Sequence, residues 1–582
     1  MTKACDVSII VTAHNEGILA HKTMLSVFRA AKKLEEAEMS YEVIVHIDNG
    51  TEATKDYFSR YGDNELVTVF QNTFGDLSMS RNFSVENSHG TYITCVDADD
   101  LLSENWFTNA YSTVKGKEDI VARVNYVITF GSSPTIITDN SDISSREQRL
   151  YLFASNMYGS SFFCHKSIYE TTQQRSNTPP YGSEDWQWIL DTQAKGIKHV
   201  IAPETIHFYR KDPLAKPSLL AGQTLNRAVL SPSKQLSFEV VHQIDISKEI
   251  REEDGVTDGG VKHKLKEKLY HTLVYANSFS AYRNIKKKIK PQVKGPAVNL
   301  PKNIIDEWKN INKIEKTTFP SEYILQEAEK WTPNRHIGVC YIKLVQSLRQ
   351  KPDTLFFVPW LMRGGADKVF INTANEINSI HTNWNIAVFQ TYPQKSLWGD
   401  KLNEGIDFAD IAAILKGLSY EDKMSLMAMF IVQNNIKRII IGNSRFAYDF
   451  VMRYRKLIEY LDIRLYVFAF TESVDRDGRI GDYIHEKIPY IQDVAYKIVT
   501  DNTSIVEQLY KEHAVRKDKV FVHHQFLDNK FREPTISNNH PLRVLWASRV
   551  NNQKIPDTLK QIGQNIGDQF EIDVYGVLEN HY

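Results

Sequence analysis

The sequence predicts an α/β protein of several units, and three observations carry that prediction. Short apolar runs rich in β-branched residues (VSIIVTA from Val7, YEVIVHID from Tyr41, GTYITCVD from Gly90) alternate with longer helical stretches. Runs this continuous are buried on both faces, as strands of a parallel sheet covered by helices are. The same alternation restarts at Asp353 after an interval with little strand character. The length of 582 residues also leaves room for about three or four compact units.

Each element has a local reason. VSIIVTA opens the first region as a strand, and a helix follows over about 18–34. YEVIVHID and ELVTVF read as the second and third strands, SRNFSVENS as a helix, and GTYITCVD as a further buried strand. In such sheets ligands bind beyond the carboxyl ends of the strands, where Thr12 to Glu16, Asp48 and Asp97 fall.

This region is expected to span 1–213. Residues 214–350 are rich in Lys, Glu and Gln and read as a mainly helical connector. Its Lys286, Lys287, Lys288 and Lys290, just before Pro291, read as a solvated helix end favoured by the helix dipole. The second reading of that cluster is a contact with anionic lipid head groups. The region 351–540 begins with strand, glycine turn and helix in DTLFFVPWLMRGGADKVFINTANEI, and continues with RIIIGNS, RLYVFAFT, YKIVTDN and KVFVHH as strands. Residues 541–582 hold LRVLWASRV, a helix from about Asp557, and FEIDVYG. Two parallel strands and one helix cannot bury both sheet faces, so this piece reads as the front of an incomplete domain.

Composition narrows the classes. A formal net charge of -1 excludes whole-chain attraction to nucleic acid. Cys5, Cys95, Cys164 and Cys340 show no metal-ligand spacing, which fits a reducing cytoplasm without a disulfide framework. The N-terminal apolar run is too short for a signal peptide, and no stretch reaches spanning length. The expected location is cytoplasmic, with peripheral contact at the inner face of the cell membrane as the further option.

The chemistry concentrates in two places. TYITCVDADDLLSEN crowds Asp97, Asp99 and Asp100 at the end of a buried strand, an arrangement that costs stability unless a cation offsets the repulsion. GSEDWQW sets Glu184 and Asp185 before two tryptophans. With VSIIVTAHNEG, VIVHIDNGTEAT and LSMSRNFSVENSHGTYITCVDADD, the latter stretch resembles family 2 glycosyltransferases, inverting enzymes of the GT-A fold. Each motif alone is weak; their order and spacing carry the resemblance across the first region.

The resemblance implies transfer of a sugar from a UDP- or dTDP-linked donor to a hydroxyl of a growing surface glycan such as O-antigen or capsule. It implies a divalent cation, Mn²⁺ or Mg²⁺, on Asp99 and Asp97, with His207 as a further ligand. Asp100 reads as a ligand or as the N-cap of a helix through LLSENW. Thr12, His14, Asn15, Glu16 and Asp48 would line the donor pocket, Arg81 would contact the donor, and Arg210 would take the diphosphate. Asn49 and Ala53 depart from the family's acidic pair after the second strand. Asp185 matches the family's catalytic base for the acceptor hydroxyl. Glu184 and Trp186 would meet the acceptor, and Trp188 either joins them or packs in the core.

In the second region PWLMRGGADKVFINTANEI resembles the first turn of family 4 glycosyltransferases, retaining enzymes of the two-Rossmann GT-B fold. Gly364 and Gly365 would admit a phosphate to backbone amides; Arg549 and Lys554 fall at donor-phosphate positions. HHQFLD departs from that family's Asn-Gly turn. The expected architecture is therefore a GT-A domain, a helical connector, a Rossmann-like GT-B N-terminal domain and the start of another. Two fused transferases imply, by family analogy, a lipid-linked glycan acceptor.

Other classes remain. A sugar nucleotidyltransferase would need a glycine-rich, Arg/Lys-bearing phosphate signature near the first strand, which VTAHNEG lacks. A non-catalytic glycan-binding scaffold built from such modules would not need Asp97, Asp99 and Asp185. A hydrolase with paired carboxylates would leave the nucleotide-pocket pattern unexplained.

Overall fold

The computed structural model describes residues 4–131, 134–141, 145–176, 178–211, 229–250, 299–318, 322–470, 483–524, 542–547, 556–565 and 570–575. The lysine cluster at Lys286–Lys290, Arg549 and Lys554 lie outside the described residues. The chain falls into two compact units, Met1–Ser347 with Leu415–Asn435, and Leu348–Ile414 with Ile436–Tyr582.

In the first unit, β1 (Cys5–Ala13), β2 (Tyr41–Asp48), β3 (Val67–Asn72) and β4 (Gly90–Asp97) lie in the order β4-β1-β2-β3, all parallel. Their continuous apolar character has a direct cause. Val7, Ile9 and Val11 of β1 pack on one face with Val27, Trp106 and Phe107, while Ile10 packs on the other with Ile93, Phe162 and Trp188. Burying each such side chain contributes about 1.5–3 kcal/mol, so neither face tolerates polar alternation. Parallel neighbours need crossover connections, which α1 (Ala20–Glu36), α2 (Glu52–Ser59) and α3 (Leu77–Glu86) supply.

The sheet continues as a mixed one, which the apolar runs did not foretell. After β5 (Leu101–Leu102) and α4 (Trp106–Val114) come β6 (Ile120–Phe130), β7 (Ile136–Asp139), α5 (Ser145–Tyr151) and β8 (Phe162–His165). Then follow α6 (Lys166–Thr171), α7 (Glu184–Ala194) and β9 (Lys198–Arg210). β8 runs antiparallel to β4 and to β6, and β7 antiparallel to β6. β9 runs parallel to β6 and antiparallel to the short β5. The helix Lys302–Ile311, inside the expected connector, buries Ile304, Trp308 and Ile311 against Leu101, Ile128 and Phe208. Lys22 donates to the carbonyl oxygen of Ile314 at 2.8 Å beside it.

The second unit is a seven-stranded parallel sheet of β10 (Thr354–Val358), β11 (Ile386–Gln390), β12 (Asp407–Asp410), β13 (Arg438–Ile441), β14 (Arg464–Phe468), β15 (Ala495–Thr500) and β16 (Val520–Val522), in the order β12-β11-β10-β13-β14-β15-β16. Five of these strands coincide with the runs DTLFFV, RIII, RLYVF, YKIVT and KVFV, whereas IAVFQ and DFAD lie outside the expected strands. The helix Gly365–Ile380 starts at the glycine pair and packs Val369 and Phe370 on Phe356 and Val388. Among the described residues no helix is long and apolar enough to cross a membrane.

Candidate active site

The parallel register sets Thr12 of β1 opposite Asp97 of β4, and the Thr12 hydroxyl donates to Asp97 Oδ1 at 3.0 Å. The same oxygen accepts from Arg81 Nη2 at 2.7 Å, while Arg81 Nη1 donates to Glu184 Oε1 at 3.3 Å. Arg81 is only 1% exposed. Its guanidinium thus joins the end of β4 to the first turn of α7, elements far apart in sequence. Burial pushes the Asp97 carboxyl up, but Arg81 outweighs it and holds the group below the ordinary carboxylate range.

Asp99 has the opposite environment. Burial, then the charges of Asp100, Asp97 and Glu16, push its carboxyl up to about 9, with Arg210 as the offsetting cation. Two carboxyl groups side by side at a strand end are the oxygen donors that a hard divalent cation takes, so Asp97 and Asp99 fit one. Replacing Asp99 by Asn is expected to weaken Mn²⁺ binding at least about tenfold and to raise the melting temperature at neutral pH, because no carboxyl then has to be kept protonated among Asp100, Asp97 and Glu16. Titration calorimetry and thermal unfolding measure the two effects on the same preparation.

His207 is turned to Asp100 instead of to this pair. It is fully buried, because β9 pairs with β5 and sets His207 opposite Leu102. Its Nε2 meets Asp100 Oδ2 at 2.8 Å. Among the described residues no cluster of three His, Cys, Asp or Glu is arranged to hold a metal. Asp100 also caps no helix: it accepts from Arg210 N at 2.8 Å, and the next helix begins only at Trp106. Gly159, at φ +69°, lies under this pair, and a Cβ there would come within 2.9 Å of His207 Nδ1. Gly159→Ala is therefore expected to cost about 2 kcal/mol in urea unfolding, through strain and overpacking.

The remaining donor-side residues are held as follows. His14 Nδ1 donates to the carbonyl oxygen of Asp48 at 2.6 Å, and Glu16 Oε2 accepts the His14 amide at 2.5 Å. Asn15 is half-buried between them. Asp48 is buried, and its two oxygens accept the amides of Gly75 and Asp76 at 2.9 Å each, fixing the turn into α3. A cavity of about 480 Å³ opens beside it, lined by Asn49, Gly50, Lys55, Gln71, Asn72 and Phe74. Arg210 packs on the Phe130 ring and donates to the Asp99 carbonyl oxygen at 2.8 Å and to Glu315 Oε2 at 3.2 Å. Glu315 escaped the sequence reading because it belongs to the presumed connector, and nothing near it in the chain signals Arg210.

On the acceptor side, Glu184 is 6% exposed and turned to Arg81, away from solvent. Asp185 is partly exposed; its Oδ2 accepts from Asn156 Nδ2 at 2.6 Å and its Oδ1 from the Trp186 amide at 2.7 Å. Burial raises its carboxyl above the ordinary range, offset in part by Arg81, these two donors and Arg123. Both acids occupy the first turn of α7, where the helix dipole favours anions. The preceding Ser183 takes a left-handed conformation at φ 63°, a strained state for a non-glycine residue. Trp186 Nε1 donates to the Leu152 carbonyl oxygen at 2.9 Å, and Trp188 is a core residue at 1% exposure. Gly364 and Gly365 sit at the start of a helix in the second unit.

The first unit thus links a mixed α/β sheet, whose parallel half ends in paired aspartates, through Arg81 to an acidic helix start. Residues 8–171 match the family model Glycosyl transferase family 2. Glycosyltransferase GlyG of Streptococcus pneumoniae serotype 4 is 25% identical over 122 residues, which cover 21% of this chain and 38% of that protein. The chain is also similar to solved structures. One is the mannosyltransferase PcManGT from Pyrobaculum calidifontis in complex with GDP-Man and Mn²⁺, at 14% identity and TM-score 0.28, covering 37% of this chain and 59% of that one. Another is S. aureus TarS 1-349 in complex with UDP-GlcNAc, at 14% identity and TM-score 0.29, covering 59% of this chain and 88% of that one.

Proposed function

We propose that the first unit is a metal-dependent, inverting transferase that moves a sugar from a nucleotide-sugar donor to an acceptor hydroxyl, with Asp185 as the base. The observation that carries this reading is the bridge formed by Arg81. It joins Asp97, at the strand end suited to a diphosphate, to Glu184, the chain neighbour of Asp185. Two carboxylate motifs with different duties are thereby brought to one site. Asp185 is hydrogen-bonded as an anion, partly exposed and shifted toward neutrality, which suits a general base. A divalent cation on Asp97 and Asp99 would neutralise charge on the departing diphosphate. The cavity beside Asp48, with the amides of Asn49, Gln71 and Asn72, is suited to hydrogen-bonding a nucleobase.

The test is a panel of UDP-, GDP-, dTDP- and CMP-sugars with Mn²⁺ or Mg²⁺ and candidate glycan acceptors, scored by acceptor-dependent release of the free nucleotide. Turnover with one nucleotide class is expected. EDTA is expected to abolish it, and excess Mn²⁺ to restore it; turnover indifferent to EDTA would remove the cation from the reading. The finer proposals rest on motif likeness. They are a lipid-linked surface glycan as acceptor, work at the inner face of the membrane, and a retaining, family 4-like second module around Gly364 and Gly365.

A further inference from the structure

Arg123, in β6, is a buried cation with no carboxylate bonded to it among the described residues. It is 1% exposed. Its Nε donates to His199 Nδ1 at 3.0 Å and its Nη1 to the Ser161 carbonyl oxygen at 3.2 Å. Nη2 meets no hydrogen-bond partner among the described residues. The rings of Tyr158, Phe162 and Trp188 surround the guanidinium at 5.5, 5.8 and 5.5 Å, close enough for cation–π attraction. Burial lowers its pKa only to about 10, so it stays charged at neutral pH. A buried charge without a bonded counterion is costly, and its position calls for a physical account.

Its neighbours supply one. Ser161 and Tyr158 belong to the loop that carries Asn156, whose Nδ2 donates both to Asp185 Oδ2 and to the Gly159 carbonyl oxygen. Trp188 lies on α7 itself, and His199 Nε2 donates to Thr192 of the same helix at 2.9 Å. Arg123 therefore contacts both elements that hold Asp185.

The charges around it point the same way. The groups acting on Arg123 are Tyr158, Asp185, Cys164 and the like-charged Arg81. Burial keeps the tyrosine and the thiol protonated and His199 neutral, so Asp185 is the anion among them. Asp185 in turn faces Arg81 from α3, Arg123 from β6, Asn156 and the Trp186 amide. Tyr209 of β9, itself held protonated by burial, also lies within reach of its charge. Its chain neighbour Glu184 is paired to Arg81.

We infer that Arg123 is a positioning residue for Asp185: it ties the 156–161 loop to α7 and sets a second positive charge behind the carboxylate. This rests on the reading of Asp185 as the base. Methionine fills the aromatic cage without charge, so Arg123→Met tests the idea by release of UDP from UDP-GlcNAc with Mn²⁺, or from whichever donor of the panel turns over. The expected result is a kcat reduced roughly tenfold at unchanged donor KM, with the acid limb of the pH profile raised by about half a unit or more. Arg123→Lys, which keeps the charge but loses the planar fork, should lower kcat while leaving the acid limb where the wild type has it.

A folded Arg123→Met protein with a wild-type acid limb would overturn the inference. If the methionine variant does not fold, the lysine variant decides: reduced kcat at unchanged donor KM supports the inference, and wild-type kcat overturns it. Asp185→Asn assayed in parallel separates the two failures. Undiminished turnover in that variant, or turnover absent from the wild type on every donor, overturns the base reading itself. Turnover lost there with Arg123→Met behaving as wild type overturns only the role of Arg123.

Discussion

Asp185→Asn is expected to lower transfer by roughly 10²–10⁴-fold, the usual contribution of a general base, while donor affinity stays within a factor of about two. The amide preserves the shape of the side chain, and α7 keeps its start, so the loss isolates proton acceptance. Because burial raises the Asp185 carboxyl above the ordinary range, its active, ionised form is populated only above that raised value. Wild-type kcat should therefore fall as pH drops through a point higher than an exposed aspartate would set. That acid limb should vanish from the residual activity of the Asn variant. A residual rate with an unchanged acid limb would assign the titration to another group and remove Asp185 from the base role.

The largest stability effect is expected at Arg81. Arg81→Met leaves Asp97 and the buried Glu184 without their shared cation, and breaking a buried ion pair from one side costs about 3–5 kcal/mol. The pH dependence has a definite sign. Asp97 titrates below its ordinary value in the folded protein, so its contribution is present above the unfolded pKa and is lost as pH falls through the folded one. The gap between wild type and variant should accordingly be widest at neutral pH and narrow in acid. Adding Glu184→Gln to Arg81→Met removes one of the stranded charges and should recover part of the loss. Urea denaturation at several pH values measures all of this, and a loss below about 1 kcal/mol at neutral pH would mean that the bridge is not structural.

How much of this was legible in the chain depends on the range of each signal. The four parallel strands were readable because burial on both faces leaves an unbroken apolar run, as in VSIIVTA and GTYITCVD. Five strands of the second sheet, though not Ile386–Gln390 or the short, polar Asp407–Asp410, were readable for the same reason. The turn from parallel to antiparallel order at β8 was not, since IVARVNYVITF carries polar residues whose partners lie elsewhere: Arg123 finds His199, and the Asn125 amide finds Thr205 Oγ1 at 3.0 Å. The helix Lys302–Ile311 looked like connector because its apolar stripe of Ile304, Trp308 and Ile311 names no destination.

The candidate site divides along the same line. The sequence by itself determined which residue types stand at the strand ends, the paired Asp97 and Asp99 and the acidic start of α7, because those are local facts of composition and spacing. The tertiary structure decided how each is used. Thr12 and Arg81 hold Asp97 in its ionised form, whereas Asp99 is left crowded and short of positive charge. His207 is withdrawn to Asp100 by the pairing of β9 with β5, and Asn156 and Arg123 are brought to Asp185 from strands and loops far along the chain. The physical reason is that ionisation and ligation depend on burial and on charges a few ångströms away, and in a mixed sheet those neighbours come from distant parts of the chain.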